Sequence, residues 1–499
     1  MPKYVLMNRR AGSFTEEQKT ASRAVVAGVL ATARLKSEVL HDNNPLDPLA
    51  RRVVVLDADA DDIAGLQATL PPTAILEPLV RRQLHVSVPI ELKAATAAGP
   101  LPAAAGSPYN VFVRGAGAAL QGIDVMFYLQ AQAGQMRTAI AKTDADGQAR
   151  VNVPAGNSVA YVEPIPYAGF WIMLLEAPAS GTTIDCLPIG DQNATGAWWH
   201  KVMGINVNAL NRGNGIKVGV IDTGCGPHPN LAHVTLVGAF VDNGALPPEQ
   251  ARDVAEHGTH TSGIVGARPV GPKDYAGMAP ACELFHARVF KSEDEGPSQA
   301  DIVNAIDALS RDHGCDLINM SLGGGPPSQC EQDAIRDAAE RGTLCICSAG
   351  NDAGAIEYPG AYPECAAVSA IGQVGWAPAG TFSAGNRPRD ASLLGHQHLF
   401  LATFSCFGST LACAGPGVGI VSTVPARAGL ASPYMEMDGT SMASPAVCGA
   451  LAVILSNDAH YQSLPRDKSR SDAARSLLDQ NCRPFGLAVK FEGRGLPKV

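Results

Sequence analysis

The chain has 499 residues, room for about two to four domains. Hydrophobic residues make up 46% and charged residues 17%, a balance that buries large cores and excludes a disordered or fibrous class. With 38 basic against 47 acidic residues the net charge is −9, which speaks against a nucleic-acid binder. The best apolar stretch, Ala443–Leu455, holds a proline and falls short of the roughly 18 residues a membrane span needs.

Residues 1–90 alternate strand and helix signals. Tyr4–Met7, Val53–Leu56 and Ala74–Leu79 are short apolar strands, while Glu16–Leu35 and Asp61–Leu70 carry helical spacing. This predicts a small α+β unit. Residues 91–106, rich in Ala, Gly and Pro, have no periodicity and read as a linker. Residues 107–180 change character. Val111–Val113, Val125–Tyr128, Thr138–Lys142, Ala149–Val153, Ala160–Val162 and Trp171–Leu175 are short strands punctuated by turn residues, the pattern of a small β-sandwich. Asp144-Ala-Asp-Gly147 lacks the later ligands of a calcium loop and is read as a turn.

From 190 to 499 the pattern is α/β. Lys217–Ile221, Leu284–Val289, Asp316–Met320, Leu344–Ser348 and Ala366–Ala370 are apolar enough to be buried on both faces. Ile302–Ser310, Gln332–Arg341 and Met442–Ser456 are helical. Such alternation predicts a mostly parallel sheet flanked by helices.

Four motifs in this zone carry chemistry. Val220-Ile-Asp222-Thr-Gly224 ends a buried strand on an acid; His257-Gly-Thr-His260 opens an apolar helix; Ser348-Ala-Gly-Asn351 ends a strand on an amide; Gly439-Thr-Ser441 starts a helix on a serine. A serine hydroxyl needs an imidazole to take its proton. The imidazole needs a buried carboxylate to hold its tautomer, and the oxyanion of the intermediate needs a fixed donor. Asp222, His257, Ser441 and Asn351 supply those four types. Taken singly, each has a plainer reading: Gly439-Thr-Ser441 as a helix cap, or His257 and His260 as a zinc pair, which here has no third ligand.

In order and local sequence these motifs resemble the subtilisin-like serine proteases, the subtilases, whose triad is a general worked case of this chemistry. The resemblance covers about residues 195–499. It implies that Asp222, His257 and Ser441 form the triad, that Asn351 serves the oxyanion, and that the chain is a serine endopeptidase. It further implies that Asn319-Met-Ser321-Leu322-Gly323-Gly324 is the edge that pairs with substrate, and that Ala349, Gly350 and Glu357, beside Tyr358-Pro-Gly-Ala-Tyr-Pro363, bind the substrate side chain. Asp352 and Glu293–Glu295 would add negative charge around the cleft. From these acids a preference for Arg or Lys on the acyl side of the cut is expected, in keeping with Arg81-Arg82 near a clip site at Arg82–His85. A pseudoprotease scaffold and an esterase are the rival readings; the filled catalytic positions count against the first and the peptide-pairing edge against the second.

Residues 1–85 resemble a subtilase propeptide, so the chain's own front segment is expected to act as inhibitor and to be self-processed. No cofactor is expected to be required. The usual calcium turn reads His228-Pro-Asn230-Leu231, and its companion loop 267–277 has Lys273 and no Asn, so that site looks degraded. The first ten residues carry no long apolar segment, so no secretory signal is read, leaving a cytoplasmic protein or one exported by a non-classical route. The twelve cysteines, all at or beyond Cys186, are then expected to be reduced and mostly packed in the core, with Cys225 the accessible candidate. Residues 373–403, with His396 and His398, read as an inserted surface loop flanking the cleft, or as a lid.

Overall fold

The computed structural model describes residues 2–12, 15–32, 38–47, 50–84, 106–132, 134–190, 196–428, 430 and 432–499. Nearly all of the proposed linker, and His85 of the proposed clip site, lie outside these.

The front segment is a four-stranded antiparallel sheet in the order Glu38–Asp42, Val53–Asp57, Lys3–Asn8, Ala74–Pro78. Alternation along its strands sorts the side chains by face. Leu6, Val54, Leu56 and Leu76 pack with Val26 and Ile63 of helices Glu16–Thr32 and Ala60–Thr69. Val5, Met7, Val53, Val55 and Ile75 point the other way, into a core shared with Phe240, Ala300, Val303 and Ile335. Strand Glu38–Asp42 escaped the sequence reading because no residue in it is fully buried, so it lacks an apolar alternation to detect.

Residues 107–186 form two facing sheets. One runs Gln148–Val153, Ser107–Gly115, Thr182–Cys186; the other runs Leu175–Glu176, Asn157–Ile165, Asp124–Ala131, Met136–Lys142. Val111, Val113, Val125, Phe127, Leu129, Val162 and Ile184 fill the space between. Two expectations are corrected. Strand Thr182–Cys186 pairs in parallel with Thr182 against Val111, so the sandwich continues past residue 180. Trp171–Leu175 is largely irregular, with only Leu175–Glu176 in a sheet; its side chains serve another surface. The Asp144 carboxylate accepts from the N–H groups of Asp146 (3.0 Å) and Gln148 (2.9 Å), an Asx turn.

The remaining unit is an eight-stranded sheet. Its order is Thr235–Ala239, Glu283–Arg288, Lys217–Asp222, Leu317–Met320, Leu344–Ser348, Ala366–Gln373, Leu399–Leu401, with Cys413–Pro416 also on Ala366–Gln373. All pairings are parallel except that of Leu399–Leu401. Helices cover both faces, so the strands read as unbroken apolar runs. Among the described residues no helix is long and apolar enough to cross a membrane.

The 373–403 insertion is not a free surface loop. Leu399, Phe400 and Leu401 are buried in the sheet, and the Phe382 N–H donates to the Ile172 carbonyl at 2.9 Å. An apolar Leu-Phe-Leu run has more to gain inside a sheet than on a surface. All twelve cysteines are free and buried. Cys225 is 4% exposed, and burial pushes its thiol up to about 12, so its accessibility is corrected: it is a packed side chain.

Candidate active site

Asp222 is the last residue of strand Lys217–Asp222 and is fully buried. Its Oδ1 accepts from the Thr223 N–H at 2.7 Å and lies 2.7 Å from His257 Nδ1. Its Oδ2 accepts from Thr261 Oγ1 at 3.2 Å. His257 opens helix His257–Gly266. Asp253 steadies that start: its carboxylate accepts from the N–H groups of Ala255 (3.0 Å) and Thr259 (2.7 Å) and from Thr223 Oγ1 (2.7 Å). An acid at a helix N-terminus satisfies orphan donors and meets the positive end of the dipole. Glu256, between Asp253 and His257, holds φ 58°, a left-handed turn uncommon for a residue with a Cβ. Burial disfavours the charged imidazole of His257, but the Asp222 carboxylate and its hydrogen bond outweigh that, and its pKa is raised. Its Nε2 is buried without a hydrogen-bond partner.

His260 is otherwise engaged. Its Nε2 meets the Met435 carbonyl at 3.0 Å, and burial pushes its pKa down to about 3. The described residues hold no group of three His, Cys, Asp or Glu suited to a metal.

Ser441 is the second residue of helix Thr440–Ser456 and is fully buried. Its Oγ donates to the Ser321 carbonyl at 3.3 Å, while Ser321 Oγ donates back to the Ser441 carbonyl at 2.8 Å and Ser444 Oγ reaches Asn319 Oδ1 at 2.9 Å. The Ser321 side chain therefore ties strand to helix. No hydrogen bond joins Ser441 to His257 here; such bonds often tighten only with substrate bound.

Asn351 lies three residues beyond strand Leu344–Ser348. Its Oδ1 accepts from the Thr440 N–H (2.9 Å) and Thr440 Oγ1 (2.8 Å), which turns the donor end of the amide the opposite way. Thr440 Oγ1 also receives the Gly350 N–H at 3.1 Å. Thr440 was not singled out in the sequence, although its place between Gly439 and Ser441 was visible. The Ala349 carbonyl receives the Glu357 N–H at 2.9 Å. Glu357 itself folds over Gly350: a Cβ there would lie 2.8 Å from the Glu357 carboxyl carbon, and a Cβ on Gly324 would lie 3.6 Å from Glu357 Oε2. The glycines make room for this carboxylate. Asp352, Glu293 and Asp294 are exposed.

The edge Leu322–Gly323 is already paired. Gln83–Leu84, the end of the front segment, adds to it antiparallel, with Gln83 opposite Gly323 and Leu84 opposite Leu322. On the other side, the Arg82 N–H donates to the Pro297 carbonyl (2.9 Å) and the Gln299 N–H to the Val80 carbonyl (3.0 Å). The tail is thus a strand between two edges. This placement corrects the use made of Arg81-Arg82: neither approaches Glu357 by an ion pair. Arg81 pairs with Glu295 at 3.0 Å near the surface, and Arg82 pairs with the buried Glu331. Glu331 gave no signal in the sequence, since it reads as an ordinary acid in the first turn of a helix.

At the turn His228-Pro-Asn230-Leu231, Asn230 Nδ2 donates to the Arg268 carbonyl (2.9 Å) and Asp274 Oδ2 (3.1 Å), and its Oδ1 accepts from the Tyr434 hydroxyl (2.9 Å). The amide supplies donors where a cation would need oxygens.

Known proteins resemble this chain over its α/β unit. Residues 213–479 match the model of the subtilase family, Peptidase_S8. Subtilisin Savinase of Lederbergia lenta is 31% identical over 278 residues, which is 55% of this chain and 89% of that protein. The major intracellular serine protease of Bacillus subtilis (strain 168) is 31% identical over 292 residues, 57% of this chain and 81% of that protein. The intracellular serine protease of Paenibacillus polymyxa is 32% identical over 295 residues, 57% and 79%. The α/β unit, its buried Asp222–His257 pair and these relatives make one statement: the chain belongs to the subtilase family and is a serine-type endopeptidase.

Proposed function

We propose that this chain cuts peptide bonds through Asp222, His257 and Ser441, with Asn351 holding the oxyanion, and that its own front segment is inhibitor and first substrate. The observation that carries this reading is the pairing of Gln83–Leu84 with Leu322–Gly323. A polypeptide laid on that edge runs from Gly323 toward Ser321, whose carbonyl oxygen is 3.3 Å from Ser441 Oγ. A substrate that keeps this pairing brings its next residue level with Ser321 and its carbonyl to the serine.

In the reaction, Ser441 Oγ attacks that carbonyl carbon while His257 Nε2 takes the hydroxyl proton. Asp222 fixes the tautomer at 2.7 Å and stabilises the imidazolium. Charge that develops on the carbonyl oxygen is met by the Asn351 amide, oriented by Thr440, and by the Ser441 N–H at the helix start. The imidazolium then gives its proton to the leaving amine. Water repeats the sequence to free the acyl group. No cation is needed at the Asn230 turn, because its hydrogen bonds to Asp274, Arg268 and Tyr434 already close it.

In this chain the residue after Leu84 is His85, so self-cleavage is expected immediately after it. The pocket for that residue carries Glu357, and a cationic side chain, Arg or Lys, is the expected preference there. The test is Ser441→Ala. The variant should stay full length and lose peptide hydrolysis while the wild type is clipped at His85, with residual catalysis of about 10³–10⁴-fold over water still measurable. Unchanged turnover in the purified variant, or an active wild type that stays intact, refutes the corresponding half of the proposal. Profiling on a peptide library, with Glu357→Gln alongside, tests the preference: selection of Phe or Leu, unaltered in the variant, excludes it.

A further inference from the structure

We infer that the cavity around Glu331 is a second specificity pocket, selecting arginine three residues before the acyl-side residue. The inference rests on the proposed hydrolysis and extends it to the part of the cleft that Arg82 now fills.

The arrangement is built for a guanidinium. Arg82 Nε donates to Glu331 Oε1 at 2.9 Å and its Nη2 to Glu331 Oε2, a fork-on-fork pair. Its Nη1 donates to the carbonyls of Gly324 and, at 2.9 Å, Pro326. Both charged side chains are 0% exposed. Gly324 and Gly325, at φ 103° and 70°, make the left-handed turn that brings the two carbonyls round to the cation, a conformation glycine alone adopts without strain. Glu331 is itself held. It sits in the first turn of helix Gln329–Glu340, its N–H donates to Ser328 Oγ at 3.1 Å, and the Tyr362 hydroxyl lies 3.4 Å from its Oε2.

Two features separate a substrate pocket from a mere anchor for the front segment. First, every group that touches the guanidinium belongs to the catalytic unit and stays when the front segment leaves. Second, the Arg82 backbone is bound as a strand residue, by Pro297 and by a close approach to Gly296, where a Cβ would lie 1.8 Å from the Arg82 carbonyl oxygen. Any extended chain on this edge delivers a side chain to the same place. A buried carboxylate left without a partner is costly. A methionine or leucine there would strand Glu331, whereas arginine restores four hydrogen bonds. Lysine carries the charge but cannot make the fork.

The experiment uses the self-processed wild-type enzyme and quenched peptides of the series Leu-Val-Ala-Xaa-Gln-Leu-His-Val-Ser, which follow residues 79–87 with Arg81 replaced to hold one register. Xaa is arginine, citrulline, lysine or methionine. Citrulline keeps the shape and removes the charge. Expected is a kcat/KM for arginine at least about 30-fold above citrulline and methionine, with lysine about tenfold below arginine. In Glu331→Gln the arginine-to-citrulline ratio should collapse toward one. Ratios within about threefold on the wild type, or an arginine preference that persists in Glu331→Gln, overturn the inference; where that variant does not fold, the wild-type ratio alone decides. Cleavage of all four peptides at similar rates overturns the pocket and leaves the hydrolytic reading standing. Cleavage of none overturns both.

Discussion

The catalytic unit meets the rest of the chain on two surfaces of different construction. The front segment offers it a sheet face of Val5, Met7, Val53, Val55 and Ile75, packed on Phe240, Ala300, Val303 and Ile335 and framed by buried charge. Arg51, fully buried, pairs with Asp307 at 2.7 Å and Asp333 at 2.9 Å. Glu77 accepts from the N–H groups of Gln329 and Cys330, at 2.8 and 3.1 Å, at the start of the Glu331 helix. The β-sandwich meets it through the irregular segment 167–174, between strands Asn157–Ile165 and Leu175–Glu176. Trp171 sits 6.3 Å from Trp376, centroid to centroid, Arg427 stacks 3.7 Å over Tyr167, and backbone bonds join Gly169 to Tyr434 and Leu174 to Gly380. The first surface ends in a strand paired with Leu322–Gly323; the second ends in aromatic packing. Ion pairs and an added strand can be exchanged for water or for substrate. Packed aromatic rings have no such substitute. On the proposed reading, the front segment is the part that substrate replaces, and the sandwich the part that stays.

The sharpest way to break that contrast is Arg51→Met in a Ser441→Ala background. Asp307 and Asp333 would lose their shared cation, and front-segment docking should weaken by about 3–5 kcal/mol. Hydrogen exchange in strands Lys3–Asn8 and Val53–Asp57 should rise while exchange in strand Asp124–Ala131 does not. Equal protection in both variants would place the docking energy elsewhere.

Next in size is Asn351→Ala. With Asn351 as the proposed oxyanion donor, its removal should lower kcat by about 10²–10³-fold with little change in KM, and leave both surfaces as they are. A pure KM effect would assign Asn351 to ground-state binding instead.

Trp171→Ala tests the other surface. Truncating a buried aromatic should cost about 3 kcal/mol in the unfolding of the sandwich, read by calorimetry, with turnover of a short peptide unchanged per folded molecule. A drop in that turnover would show the sandwich acting on the cleft.

The smallest expected effect separates cleft and sandwich by pH. His257 must be neutral to take a proton, and its raised pKa puts the acid limb of kcat/KM above the ordinary histidine value, so activity climbs as pH rises. Asp438, beneath the sandwich contact, is pushed by burial from 3.8 to about 6. A raised acid contributes stability below its unfolded pKa and loses it as pH rises through the folded one. Between about pH 4 and 6, the span of those two values, stability of that region should fall by on the order of 2 kcal/mol while activity increases. Parallel trends would contradict the separation.

The α/β fold was legible because its strands and helices are locally patterned: Leu344–Ser348 was read with its observed bounds, and Lys217–Ile221 and Met442–Ser456 within one or two residues of theirs. Asp222, His257, Asn351 and Ser441 could be singled out as candidates from sequence alone, since each stands at or just beyond the end of a strand or at the start of a helix and such places have short local signatures. Only the tertiary structure decided what lies across those ends. Thr440 turns the Asn351 amide from 89 positions away, and Arg82 meets Glu331 from 249 positions away. Arg81-Arg82 is legible as a basic pair near a clip site, but not its partners, Glu295 and Glu331, which only the fold brings to it. Charge is written in the residue, whereas strand pairing is a relation between distant backbones and leaves no period or motif in either.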